Sequence, residues 1–164
     1  MLSRLTLPFK DQTVETTLIL FKPDSLHRGV VGRILSRFED KGLQIVGMRL
    51  MQMTDEIAAE HYAEHVDRPF YAGLVGFMTS SPIIALALHG PNAIGVARKL
   101  MGKTFGIDAE AGTIRGDFGC SKSYNLVHGS DSHESAAREL GIYFPDGLLK
   151  WDGIQAPWLW DSGE

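Results

Sequence analysis

The run Thr16-Thr17-Leu18-Ile19-Leu20-Phe21 is β-branched and apolar throughout, and it stops at Lys22-Pro23-Asp24, after which apolar residues recur at helical spacing. This switch from strand to helix period constrains the fold more than any other feature, because it recurs along the chain. Val30, Val31, Ile34, Leu35 and Phe38 predict a helix over residues 29–41, and Gly42 closes it. Residues 43–53 read as a second strand, with apolar positions at Leu43 and Ile45. Thr54-Asp55 caps a helix running to about residue 65, and Pro69, at an early helical position, starts another toward residue 78. Residues 82–88 form a third apolar strand, Asn92 opens a helix through residue 100, and residues 102–118 read as a long polar loop. Residues 124–128 are the last strand, followed by a helix over residues 132–140. The order is βαβ, then helices, then βαβ, which suits a single α+β domain of the split-βαβ, ferredoxin-like kind with helices on one face of the sheet.

Length and charge narrow the function. A chain of 164 residues with 44% hydrophobic content suffices for one well-buried domain and is too short for two ordinary ones. A net charge of −4 argues against a broad nucleic-acid footprint, so any phosphate chemistry must rest on a few converging basic residues. The lone Cys120 excludes an intrachain disulfide and a Cys-x-x-Cys pair, and a reduced compartment, the cytoplasm, is expected. Residues 1–10 lack the apolar core of a secretory signal, and no apolar run approaches the ~20 residues that span a bilayer. The ends read as appendages: an extension over residues 1–14, a catalytic domain over 15–144, and a tail over 145–164. That tail holds Trp151, Trp158 and Trp160, and so much aromatic surface predicts docking on its own domain or on a neighbouring subunit.

The segment Asn125-Leu126-Val127-His128-Gly129-Ser130-Asp131-Ser132 places a histidine at the end of a short apolar run, just before a helix start. Gly129 frees the backbone to turn, and Ser130, Asp131 and Ser132 offer N-cap oxygens to a helix beginning near Glu134. An imidazole held there is a candidate nucleophile, provided one ring nitrogen is held by an acceptor so that the other presents its lone pair. Arg98, Thr104 and Arg115 are candidates to meet phosphoryl oxygens if the long loop folds over the site. Lys22, just past a buried strand, could carry an ammonium to the same place. The duller readings make Arg98 a solvated helix residue, Thr104 a loop hydroxyl, Arg115 the partner of Asp117, Phe70 a core aromatic and Cys120 a buried small residue. No Walker-type glycine loop is present, so a phosphate cradle would be built from side chains. His61-Tyr62-Ala63-Glu64-His65 spells the inverted zinc-protease motif, but no third ligand is evident, and a solvated helix face with His61 partly packed beside Tyr62 is the better account.

Phe21-Lys22-Pro23-Asp24, Arg68-Pro69-Phe70, Gly112-Thr113-Ile114-Arg115-Gly116-Asp117-Phe118 and the His128 segment stand in order along the chain. Together they resemble the nucleoside diphosphate kinase family from about residue 16 to residue 144. The resemblance implies an antiparallel βαββαβ sheet with helices packed on it, and transfer of the γ-phosphoryl of ATP or another nucleoside triphosphate to a nucleoside diphosphate through phospho-His128. It implies attack by Nδ1, with Ser130 and Glu139 supporting the imidazole and Tyr62 near the transferred phosphoryl. It also implies Lys22, Arg98, Thr104 and Arg115 on phosphates, Asn125 on ribose and Phe70 stacking on the base. Mg²⁺ would ride on the nucleotide phosphates rather than on protein ligands. A homo-oligomer, hexamer or tetramer, is implied, with no membrane and no specific nucleic acid as partner. Two rivals remain: a catalytically weak nucleotide-binding or scaffolding protein on this fold, and a small zinc hydrolase using His61 and His65.

Overall fold

A computed structural model of the chain describes residues 14–151, 153 and 156–160. Four strands form one sheet in the order β2-β3-β1-β4: β1 is Val14–Phe21, β2 Gln44–Met51, β3 Ile83–Pro91 and β4 Val127–Gly129. Every neighbouring pair is antiparallel. The connections carry helices α1 (Pro23–His27), α2 (Val31–Asp40), α3 (Asp55–His61), α4 (Tyr71–Thr79), α5 (Ala93–Met101), α6 (Ile114–Phe118) and α7 (His133–Tyr143), with α8 (Ala156–Leu159) in the tail. This is the expected ferredoxin-like α+β arrangement.

Helices cover both faces of the sheet, not one. Alternate residues of a strand face opposite ways, and the central strands are apolar on both sides. Ile19 and Phe21 of β1 join Leu86 and Leu88 of β3 under α2 and α5, through Ile34, Phe38, Ala97 and Met101. Leu18 and Leu20 join Ala85 and Ala87 on the other face under α3, α4 and α7, through Ala58, Met78 and Tyr143. A strand apolar on both sides cannot leave either to water, and the helices packed on the two faces meet that need.

Several boundaries differ from the sequence reading, each for a local reason. Lys22-Pro23-Asp24 opens α1 with Pro23 in its first turn, so the segment before α2 is helical too. The β2 strand is shorter than 43–53, and Gly42, with φ of 91°, turns the chain into it. The helix capped by Thr54 ends at His61, and Ala63–His65 is a 3-10 turn. The long polar loop holds a 3-10 turn, Gly106–Asp108, and α6, whose N-cap Thr113 accepts from the Gly116 N–H. The last strand starts at Val127, so His128 lies in its middle. Gly129 is extended rather than turned, and a Cβ there would lie 2.7 Å from Met101 Sδ, so close packing, not a turn, requires glycine. Ser132 alone caps α7, in a capping box with Ser135, while Ser130 is buried.

The tail lies along β2. The Leu149 N–H donates to the Val46 carbonyl. Trp151 Nε1 donates to the Ile45 carbonyl and Trp160 Nε1 to the Gly42 carbonyl. Trp158 is 90% exposed. Apart from Val14, which begins β1, the expected extension over residues 1–14 lies outside the described residues.

Leu86, fully buried between the strands and α2 and α5, should be among the costliest truncations. Leu86→Ala is expected to lower stability by about 2–5 kcal/mol, read from the midpoint of a denaturant titration.

Candidate active site

The site is built where β4 meets β1. His128 pairs with Leu20, and Val127 with Phe21, so the imidazole emerges on the Leu20 face, beneath α3 and α7. Ser130 continues the pairing: its N–H donates to the Leu18 carbonyl, and its hydroxyl oxygen accepts from the Leu18 N–H. On α7 the buried residues Ala136, Glu139 and Tyr143 follow helical spacing, which points the Glu139 carboxylate at the sheet. His128 Nε2 lies 3.1 Å and 3.2 Å from the two Glu139 oxygens, and the Ser130 hydroxyl donates to Glu139 Oε2 at 2.7 Å. Burial pushes the Glu139 pKa up, but the hydrogen bond and charge of His128 and the Ser130 hydroxyl outweigh it, leaving it below the usual carboxylate value. An ionised carboxylate only accepts, so Nε2 carries the ring proton of the neutral imidazole and Nδ1 holds the lone pair.

A cleft of about 370 Å³ opens in front of His128. Lys22, Tyr62, Phe70, Arg98, Thr104, Arg115 and Asn125 all line it together with His128 and Glu139, and Ser130 stands behind Glu139. The residues nominated for catalysis and nucleotide binding thus lie in one place.

Their local roles are unequal. Lys22 is buried, and its ammonium donates to Asn125 Oδ1 at 2.7 Å. Desolvation, with the charge of Arg115 adding to it, lowers its pKa from 10.5 to about 8. Asn125 Nδ2 donates in turn to the Thr104 carbonyl, which pins the loop to the strand end. Arg115 is buried and donates to three carbonyls, those of Asn125, Gly102 and Val127. Burial and the nearby Arg98 charge bring its pKa down to about 10. The alternative pairing of Arg115 with Asp117 does not occur: Asp117 binds Arg37 at 2.9 Å. Arg98 and Thr104 are exposed to the cleft. Phe70 is 55% exposed, with its ring 5.7 Å from that of His65, so it is no core aromatic. Cys120, expected to be buried, is exposed.

The zinc-protease spelling fails on geometry. The α-helix ends at His61, so His65 leaves the helical register, and among the described residues the cluster with metal-ligand spacing is His61, His128 and Glu139, without His65. His61 is buried rather than solvated, edge-on to the His128 ring at 4.7 Å. Burial first, and then the His128 charge, push its pKa down to about 3. Burial also raises the Tyr62 phenol, keeping it protonated.

The sequence reading missed the support beneath the nucleophile. Leu126 has φ of 71°, a conformation that costs a non-glycine residue about 1–3 kcal/mol. Asp24 and Ser25 hold it: the Leu126 N–H donates to Asp24 Oδ2, and its carbonyl accepts from the Ser25 hydroxyl and the Lys22 N–H. Asp24 stood in the quoted Lys-Pro-Asp motif, but nothing in a leucine signals a positive φ. Lys103 and Arg138 also line the cleft and were not singled out.

A polarised imidazole in a cationic cleft on this sheet defines a phosphotransferase. A family model described as nucleoside diphosphate kinase matches residues 15–148, and the chain belongs to that family. A nucleoside diphosphate kinase of Gloeobacter violaceus is 47% identical over 149 residues, covering 90% of this chain and 100% of the relative. One from Nocardia farcinica is 54% identical over 133 residues, 80% of this chain and 96% of the relative. The solved halophilic nucleoside diphosphate kinase of Halobacterium salinarum in complex with CDP is 43% identical, with a TM-score of 0.88 over 91% of this chain and 100% of that one.

The Lys22 ammonium should titrate near pH 8 in nucleotide-free protein, followed by the pH dependence of its ¹⁵N NMR resonance. Its folded pKa lies below the unfolded value, so its burial opposes folding below about 8, and that opposition fades as pH rises toward 10.5. Stability measured across this window should therefore gain less with rising pH in Lys22→Met than in wild type. Arg115→Ala, which strands three carbonyls, is expected to cost about 3 kcal/mol or more in a thermal or denaturant melt.

Proposed function

We propose that this enzyme moves the γ-phosphoryl of ATP or another nucleoside triphosphate to a nucleoside diphosphate by a ping-pong route through phospho-His128. The observation that carries this reading is the Glu139 carboxylate on His128 Nε2, which leaves Nδ1 as the nucleophilic nitrogen of a residue lining the cleft. Nδ1 attacks the γ-phosphorus, the bond to the β-bridging oxygen breaks, and the diphosphate leaves. Glu139 stabilises the positive charge that develops on the ring, and Ser130 holds Glu139 in place. The second nucleoside diphosphate then takes the phosphoryl through its terminal oxygen, and His128 returns as neutral imidazole.

Arg98, Thr104 and Lys22 face the equatorial oxygens, and Arg115 contributes charge while bracing the loop. The Tyr62 phenol, held protonated, donates near the transferred group. Asn125 meets the ribose, and the exposed Phe70 stacks on the base, so purines and pyrimidines alike should be accepted. Magnesium supplies charge neutralisation on the phosphates it accompanies. In the nucleotide-bound state Glu139 bonds His128 and Ser130, and the other carboxylates lining the cleft are only Glu64 and Asp131, so magnesium's oxygen ligands would come chiefly from the phosphates it rides on.

In the same proposal, residues 15–144 are the catalytic domain, and residues 145–164 are a tail whose Trp151 and Trp160 dock on it at the Ile45 and Gly42 carbonyls. The protein works in the cytoplasm as a homo-oligomer, hexamer or tetramer. Among the described residues no helix is long and apolar enough to cross a membrane, and the exposed Met48 and Leu50 of β2 offer apolar surface for subunit contact.

Wild-type protein mixed with magnesium and ATP at neutral pH should show a phosphoryl adduct by intact mass, discharged by any nucleoside diphosphate. His128→Ala should show none while still binding nucleotide, and turnover by that variant would overturn the mechanism. Glu139→Gln, losing one charge-assisted hydrogen bond worth about 1.5 kcal/mol, should phosphorylate about tenfold more slowly in single-turnover kinetics.

A further inference from the structure

His61 enters none of these steps, yet it sits beside the nucleophile. It is 4% exposed, its ring meets that of His128 at 4.7 Å, and its Nδ1 has no hydrogen-bond partner among the described residues. A buried ring nitrogen left unpaired is costly and calls for a partner. His61, His128 and Glu139 each offer a ligand atom within 4.8 Å of the others, and all three line the cleft, so an ion from solvent can reach them.

We propose that His61, His128 and Glu139 form a binding site for Zn²⁺, three protein ligands with a fourth position open to the cleft. Two imidazoles and a carboxylate are a donor set found in zinc sites that retain an open position. Tetrahedral zinc at about 2.0–2.2 Å from each donor sets neighbouring donors roughly 3.3 Å apart. His128 Nε2 and Glu139 Oε1 already stand at 3.1 Å, so small side-chain rotations, with His61 turning inward, close the triangle.

The cationic surroundings select the ion. Arg138 Nη2 stands 3.9 Å from Glu139 Oε1, and Lys22 lines the same cleft, so the site repels a hard dication that gains little from nitrogen donors. Imidazole ligands repay zinc for that repulsion and do not repay magnesium. Zinc and the nucleotide's magnesium therefore occupy different places.

One consequence rests on the kinase reading. Zinc taken by Nε2 displaces the proton shared with Glu139, and neutral His128 then carries its proton on Nδ1. The nitrogen that would attack phosphorus has no lone pair free, and zinc holds the enzyme unphosphorylated.

The test is calorimetric titration of the nucleotide-free full chain with Zn²⁺, beside visible absorption of the Co²⁺-substituted protein. Expected are one Zn²⁺ per chain, the strong visible bands of four-coordinate cobalt, and binding weakened about tenfold or more in His61→Ala and in His128→Gln. No zinc uptake by wild type, a weak six-coordinate cobalt spectrum, or unchanged binding in both variants would overturn the site. His128 is partly exposed, so His128→Gln decides the matter if His61→Ala does not fold. Since no nucleotide is present, a negative result leaves the kinase reading standing. A failure of zinc to slow phosphoryl-adduct formation, with binding intact, would overturn only the consequence for Nδ1.

Discussion

Everything in the site hangs on the pairing of three residues, Val127–Gly129, against the end of β1. A strand so short has little hold of its own. It is extended by Ser130, which exchanges bonds with Leu18, and anchored by Asp24 and Ser25, which clamp Leu126 in its left-handed conformation. A one-residue slip of β4 would turn His128 to the α2 and α5 face and Val127 toward Glu139. The register of this pair is therefore also the register of the chemistry.

Basic groups gather at the end of this strand because the backbone itself holds them there. Arg115 spends its guanidinium on the carbonyls of Asn125, Gly102 and Val127, so its charge is fixed by backbone and braces the loop while facing the cleft. Lys22 and Asn125 tie the end of β1 to the same loop through the Thr104 carbonyl. The loop is held by hydrogen bonds to its backbone, which leaves Arg98 and the Thr104 side chain exposed to the cleft. Preorganisation of this kind is what phosphoryl transfer requires, since positioning and charge supply most of the acceleration.

Much of this was legible in the residues. The apolar runs announced the strands, Thr54 and Ser132 announced the starts of α3 and α7, and the nominated side chains line one cleft except Ser130, which stands behind Glu139. Three things were not legible. Leu126 at positive φ carries no compositional mark. Burial of His61 depends on α3 packing beside α7, and a histidine between glutamate and tyrosine reads equally well as solvated. The split of the long loop into a 3-10 turn and α6 is held partly by a distant partner, since Asp117 accepts from Arg37 on α2 as well as from the nearby Gly112 N–H.

The sequence by itself determined the order of strands and helices, the two-sided apolar character of β1 and β3, and the chemical types available to the site, because periodicity and residue chemistry are local properties. Only the tertiary structure decided that helices cover both faces, that Glu139 meets His128 at Nε2 rather than facing solvent, and that His61 stands beside them. Those outcomes depend on register and on helix packing across chain separations of tens of residues, where the free energy of burying shared apolar surface, and not any local preference, selects the neighbours.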